Sequence, residues 1–306
     1  MIKSIIIFFT QILFASCLYG QINMQDSTSQ VVGYWYIGES QTLSITNTKY
    51  EVKNGDSTNV HFLKYEVDVT IKDSTENNYL IEWHYKNYEV EAKNPIIKKV
   101  MESATDIKVL IKTDAFGSIL EVVNWEEVRD YIKDQSEKLS DEFGDLPELK
   151  DLVTSMMRIY ATKEAVENNA IKDAMQYYTY HGRLYKLKEE VRGNVKMMNN
   201  YGGEPFDSEM TVILDMIDEE RGESVIKMKQ IIDSKQLTDA TYSQLKKLGI
   251  FGDNLLPRNE FPELSNEIWT GSVVHSYTGW VTYSIETREV VTQNQTAIEE
   301  RIIELK

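Results

Sequence analysis

Cysteine is almost missing from this chain: Cys17 is the only one in 306 residues. It lies inside the N-terminal apolar segment. If that segment is removed by ordinary cleavage, disulfides, thiolate nucleophiles and cysteine metal ligands are excluded from the rest. Histidine is scarce as well. His61, His84, His181 and His275 form no i, i+4 pair and no His-Glu-x-x-His, so the zinc-protease signature is absent. The chain has no Gly-x-Ser-x-Gly elbow, no Gly-rich phosphate loop and no Ser-x-x-Lys set, and so no local mark of nucleophilic or phosphoryl chemistry. Clustered basic residues are lacking too. The net charge is −16, with 33 Lys and Arg against 49 Asp and Glu, a balance that repels nucleic acid and anionic lipid faces and suits basic partners. Beyond the first residues, no apolar run approaches the roughly 20 residues that a membrane-crossing helix needs.

The opening residues follow the plan of a secretory signal. Lys3 is the positive n-region, Ser4 to Phe14 the apolar h-region, and Ala15, Ser16 and Gly20 mark a cleavage zone. The apolar run ending at Leu18 is about 14 residues, too short to span a bilayer. Cleavage after Gly20 is expected, with Phe14-Ala15-Ser16-Cys17 as a lipoprotein alternative in which Cys17 is acylated. The ending Leu18-Tyr19-Gly20-Gln21 resembles the leaders of exported proteins of Bacteroidota. Asp26-Ser27-Thr28, Asp56-Ser57-Thr58 and Asp73-Ser74-Thr75 resemble the short O-glycosylation sequon of the same group, and are also good turn formers. The expected setting is therefore outside the cytoplasm: periplasm, outer membrane surface or medium.

The remaining chain, after a polar arm at 21–30, is long enough for one sizeable core without cross-links. From 31 to 123 the signal is β. Tyr65, Val67, Val69 and Ile71 alternate with polar residues, as do Ile81, Trp83 and Tyr85, and the polar cluster at 73–78 between them predicts a hairpin. A short helix is expected over 96–104, then strands at 107–111 and 119–123 about an Asp114–Gly117 turn. Residues 124–182 read as helical. Trp125, Val128, Ile132, Leu139 and Phe143 share one face, Leu149 to Tyr160 form a second stripe, and a third helix starts after Thr162 and stops at Gly182. Strands return over 183–306, interrupted by a helix at 238–248. This order predicts an α+β protein: twisted antiparallel sheet in two β-rich halves, 31–123 and 183–306, similar enough to suggest duplication, with the helical segment packed on one face.

Functional residues are harder to read. No catalytic, cofactor or metal site is expected. Neighbouring carboxylates such as Glu126-Glu127 and Asp218-Glu219-Glu220 read as solvated, and His84 and His181 as a strand-face and a helix-end residue. Trp83, Tyr85, Tyr177 and Tyr178 are the candidate ligand wall, with core packing as the competing reading. The leading expectation is a non-enzymatic surface or envelope interaction module. The alternative is a binding protein for an apolar or amphipathic ligand, resembling in outline the half-barrel carriers that ferry lipids across a periplasm. A hydrolase assembled from residues distant in sequence is the third reading. A cavity of at least about 300 Å³ favours the second, and an exposed apolar patch the first.

Overall fold

The computed structural model describes residues 22–93, 98–99, 101, 106–143, 157, 160–199, 201–249, 252–293 and 295–306. The leader, Cys17, most of the helix expected over 96–104 and most of the Leu149–Tyr160 stripe lie outside the described residues.

The long alternating runs become long strands. β1 (Ile22–Asn23) and β2 (Thr28–Val31) open the chain within the stretch expected to be a polar arm. They are followed by β3 (Ser40–Lys53), β4 (Asp56–Ser74) and β5 (Asn78–Ala92). β6 (Lys108–Asp114) and β7 (Ile119–Val122) complete the first run. Valine, isoleucine and the aromatics at alternate positions put one face of each strand in the core: Val67, Val69, Ile71, Ile81 and Trp83 have no exposed surface. The expected hairpin forms with Val69 opposite Trp83 and Ile71 opposite Ile81. The Asp114 turn forms too, its carboxylate accepting from Phe116 N and Ser118 N, with Gly117 at φ +96°.

Four helices are described. α1 (Trp125–Phe143) is followed by α2 (Lys163–Asn169) and α3 (Lys172–Tyr178) where one helix was expected. Thr162 caps α2 as anticipated, its hydroxyl accepting from Ala165 N. The break follows two asparagines: Asn168 and Asn169 turn their side-chain amides back onto the carbonyls of Glu164 and Ala165. Such competition with the backbone ladder favours helix ends. The second run of strands is β8 (Arg183–Lys186), β9 (Glu190–Met197), β10 (Phe206–Asp218) and β11 (Glu223–Ile232). Then come α4 (Ser234–Leu248), β12 (Ser265–His275), β13 (Val281–Val291) and β14 (Gln295–Leu305). α4 starts four residues before the expected Thr238, because Asp233 caps it by accepting from Gln236 N, and it closes at Gly249 with φ +63°.

The expected α+β class is corrected by this arrangement. Among the described residues the protein is mainly antiparallel β, with four helices of 7 to 19 residues beside the strands. The larger sheet has eleven strands in the order β7-β6-β5-β4-β3-β14-β13-β12-β11-β10-β9, and a three-stranded sheet β1-β2-β8 lies beside it. The two β-rich stretches share the eleven-stranded sheet. β14 pairs with β3 from Gln295 opposite Lys53 to Leu305 opposite Leu43, so a continuous ladder joins them. Alternation fixes which face a strand buries but not which strand it meets, so this partner was not legible. The runs β4–β7 and β10–β13 do cross the sheet in the same order, as successive antiparallel meanders do without any further cause.

Candidate functional site

α3 has two working faces. Ala174, Tyr177 and Tyr178 point into the core of the sheet, while Lys172, Met175, Gln176 and Thr179 form an i, i+3, i+4, i+7 stripe on the other side. The helix thereby divides the inner face of the sheet into a solid part and an open part.

The solid part is aromatic. Trp83, Tyr85, Tyr177 and Tyr178, far apart in sequence, come together: ring centroids lie 5.6 Å apart for Trp83–Tyr177, 5.9 Å for Trp83–Tyr178 and 5.0 Å for Tyr177–Tyr178. All four are buried. Tyr177 Oη accepts from Val281 N at 2.9 Å, tying α3 to β13. Burial pushes the Tyr85 and Tyr177 hydroxyls well above the usual tyrosine range. None of the four lines the open part of the face.

His181 belongs to this packing rather than to a helix end. α3 stops at Tyr178, and His181 is buried with its ring 5.7 Å from Trp35 and 5.2 Å from Tyr178. Its expected solvent-facing, dipole-compensating role is corrected. Nε2 lies 2.8 Å from the Gly279 carbonyl and donates to it, and desolvation lowers the pKa to about 4, so the ring is neutral. His84 stays at the surface beside Asp106.

The open part is a groove of about 350 Å³ between α3 and strands β9 and β11–β14. Cross-strand register builds its floor. One row runs Met228, Thr270, Glu286, Arg301 and the next Gln230, Ile268, Arg288, Glu299, each residue directly opposite its neighbour. Met175, Met197 and Met198 supply apolar wall, and Lys172 and Lys196 stand at the sides.

The inner end of the groove is a buried ion-pair network. Arg301 Nε lies 3.1 Å from Asp173 Oδ1, and Nη1 lies 3.3 Å from Glu286 Oε1 and 3.4 Å from Gln176 Oε1. Asp173 Oδ2 accepts from Tyr65 Oη at 2.8 Å, and Gln176 Nε2 donates to Ser284 Oγ at 3.0 Å. Desolvation works against the Arg301 charge, but Asp173 and Glu286 more than offset it and its pKa rises. Lys172 is open to solvent, yet the protein around it lowers its pKa, first by desolvation and then by repulsion from Arg301.

No family model matches the chain, and no curated protein does. A solved structure concerned with lipid–protein interactions in lipovitellin is similar at a TM-score of 0.39 and 9% identity, covering 89% of this chain and 25% of that one. The present chain thus spans a quarter of the length of that neighbour, and a likeness of this degree carries no argument about function.

The groove's residues were missed by sequence reasoning, which took polar strand positions as outward. The signal that could have found them is in β14, where Arg301 shares its face with Ile303 and Leu305. A charge in register with apolar neighbours marks a polar patch on an inner face. Among the described residues no group of three or more potential metal ligands converges, and no helix is long and apolar enough to cross a membrane.

A second feature lies at the end of the sheet where its hairpins turn. Gly33 N donates to Phe116 O and Tyr34 N to Thr278 O, each at 3.1 Å, drawing the 32–39 segment across the β6–β7 and β12–β13 turns. Tyr34, Tyr36, Ile37, Phe116, Leu184 and Tyr277 are exposed there, Tyr36 to 79%.

Proposed function

We propose that this protein is a non-catalytic binding protein for an amphipathic ligand held in the groove between α3 and the β11–β14 part of the sheet. The observation that carries the reading is the division of one sheet face by α3: aromatic residues fill one side, while the other is left as an open groove with both apolar and charged walls. Ligand sites commonly combine apolar lining with a few placed polar groups, at volumes upward of about 300 Å³. The aromatic cluster of Trp83, Tyr85, Tyr177 and Tyr178 acts as the rigid back wall on which α3 is set, one layer behind the ligand. The setting that goes with this role is extracytoplasmic, after removal of a leader ending near Gly20.

Native mass spectrometry of protein taken from its own envelope, with extraction of what it carries, tests the reading. It also reads acylation of Cys17 and additions at the three Asp-Ser-Thr triplets, of which Thr58 and Thr75 are exposed. An amphipathic molecule is expected to accompany the wild type and to be lost from Ile268→Trp, which fills the groove floor. Protein that carries nothing, and whose ligand-free mass matches that of the filled variant apart from the substitution, would sink it.

The exposed aromatic end favours a second reading, an envelope interaction module. Exposed tyrosines among turns rich in carboxylates (Asp73, Glu76, Asp218, Glu219, Glu220) suit a basic protein partner. Replacing Tyr36, Ile37 and Tyr277 by serine is expected to reduce retention in the envelope fraction at unchanged melting temperature. Unchanged retention counts against this reading.

A further inference from the structure

We infer that the groove selects an amphiphile with an anionic head, a carboxylate or phosphate on a single aliphatic chain, and that Arg288 and Lys172 hold the head. The inference rests on the groove being the ligand site.

It comes from asking which charges in the groove are already satisfied. Arg301 is neutralised in place by Asp173 and Glu286, and its guanidinium is held by Gln176. Lys196 is paired with Asp207 at 2.6 Å. Arg288 is different. Its one contact of this kind is Nη2 to Met197 Sδ at 3.9 Å, a weak acceptor, and among the described residues it makes no ion pair. Glu299 stands opposite Arg288 in the ladder but forms no ion pair with it among the described residues. Lys172 likewise makes none; the Arg301 and Arg288 charges repel its ammonium, while Glu299 and Glu286 attract it from beyond ion-pair distance. Lining the groove are four cations and two carboxylates, one of which is spent on Arg301. With Asp173 and Asp207 counted as the partners of Arg301 and Lys196, four cations face four carboxylates, so no excess of charge but the placement of Arg288 and Lys172, neither in an ion pair among the described residues, decides the charge of the head. Arginine presents a fork of donors that matches carboxylate and phosphate oxygens, and a charge-assisted pair of this kind is among the stronger polar contacts.

The tail follows from the walls. Met197, which touches Arg288, continues into Met198, with Met175 and Met228 on the other sides and Ile268 beside Arg288 on the floor. Methionine walls fit flexible aliphatic chains without demanding one shape. A volume of about 350 Å³ is near the lower end for ligand pockets and suits one chain rather than two.

The test uses calorimetric titration of the delipidated full chain with four probes of one chain length, below their micelle concentrations: dodecanoate, dodecyl phosphate, dodecyl maltoside and dodecyltrimethylammonium. Inorganic phosphate is the fifth arm. The two anionic amphiphiles are expected to bind roughly tenfold or more tighter than the uncharged and cationic ones, with phosphate alone undetectable. Arg288→Gln is expected to remove that preference while leaving dodecyl maltoside unchanged, and Arg288→Lys to keep part of it. Lys172→Gln is expected to give a smaller loss. Equal binding of all four heads, with Arg288→Gln silent, overturns the anionic head and leaves the amphiphile reading standing. Failure of every dodecyl probe overturns the groove as the ligand site. Phosphate binding as tightly as dodecyl phosphate overturns the tail. Melting curves of each variant show whether it is folded before it is scored.

Discussion

At the scale of single residues, the consequential side chains are polar ones in apolar company. His181 is buried and neutral, with its pKa lowered to about 4 chiefly by desolvation, whereas in the unfolded chain it titrates near the ordinary histidine value of about 6.5. Between those pH values the unfolded state binds the extra proton. Stability therefore falls as the pH drops from about 6.5 toward 4, by about 3 kcal/mol for this group. Denaturant midpoints measured across that range are expected to decline in the wild type and to be flatter in His181→Gln; equal slopes would show that the ring is not the titrating group. Asp173 is the second case. It holds both Arg301 and the Tyr65 hydroxyl in the core. Asp173→Asn keeps the shape but leaves a buried guanidinium with Glu286 as its one carboxylate partner, and is expected to cost about 3 kcal/mol in urea unfolding. A loss under about 0.5 kcal/mol would mean the network is wetter than its burial implies. The burial of His181 and of Arg301, the partner of Asp173, was not legible, because a histidine after an aromatic run and an arginine within a β run read as solvent-facing unless the partner strands are known.

Elements were more legible where chemistry is local. The hairpin between β4 and β5, the Asp114 turn, the Thr162 cap and the Gly249 stop all follow from residues within a few positions of one another. The break between α2 and α3 was not foreseen, since Val166, Ala170, Ala174 and Tyr177 keep helical spacing across it. That break matters to the site: it frees α3 to present one stripe to the aromatic core and the other to the groove. The 32–39 segment shows how tightly such pieces are set. Gly279 sits at φ +73°, and a Cβ there would meet the Val32 carbonyl oxygen at 2.2 Å. Backbone cannot yield as a side-chain end can. Gly279→Ala is expected to lower stability by more than about 1 kcal/mol through both the positive φ and the clash, while Gly55→Ala, strained at φ +85° but with open space around it, loses only the first part. Comparable thermal shifts in the two variants would show that the segment does not press on the turn.

The molecule as a whole depends on one long-range ladder. Hydrophobic alternation reported the buried faces of β4 and β5, and the charge balance set an expectation against nucleic acid. What neither could report is that the last strand returns to pair with β3 across most of the chain's length. Closing so large a loop is entropically unfavourable until the ladder forms, so the sheet's continuity rests on non-local contacts. β14 also carries Arg301 and Glu299 into the groove, so the same strand joins the sheet and furnishes the site. Ending the chain at Gln293 is therefore expected to do more than trim a terminus. It removes the partner of β3 and of β13 together and leaves two internal edges with unpaired backbone groups beside the buried Leu43 and Ile45. Such protein is expected to aggregate or to lose its cooperative transition, whereas Arg301→Met, which keeps the strand but removes the charge, retains cooperativity. A cooperative, monomeric truncated chain in sedimentation and calorimetry would show that the two sides of the sheet are each stable alone, and that the ladder between β3 and β14 is not what unites them.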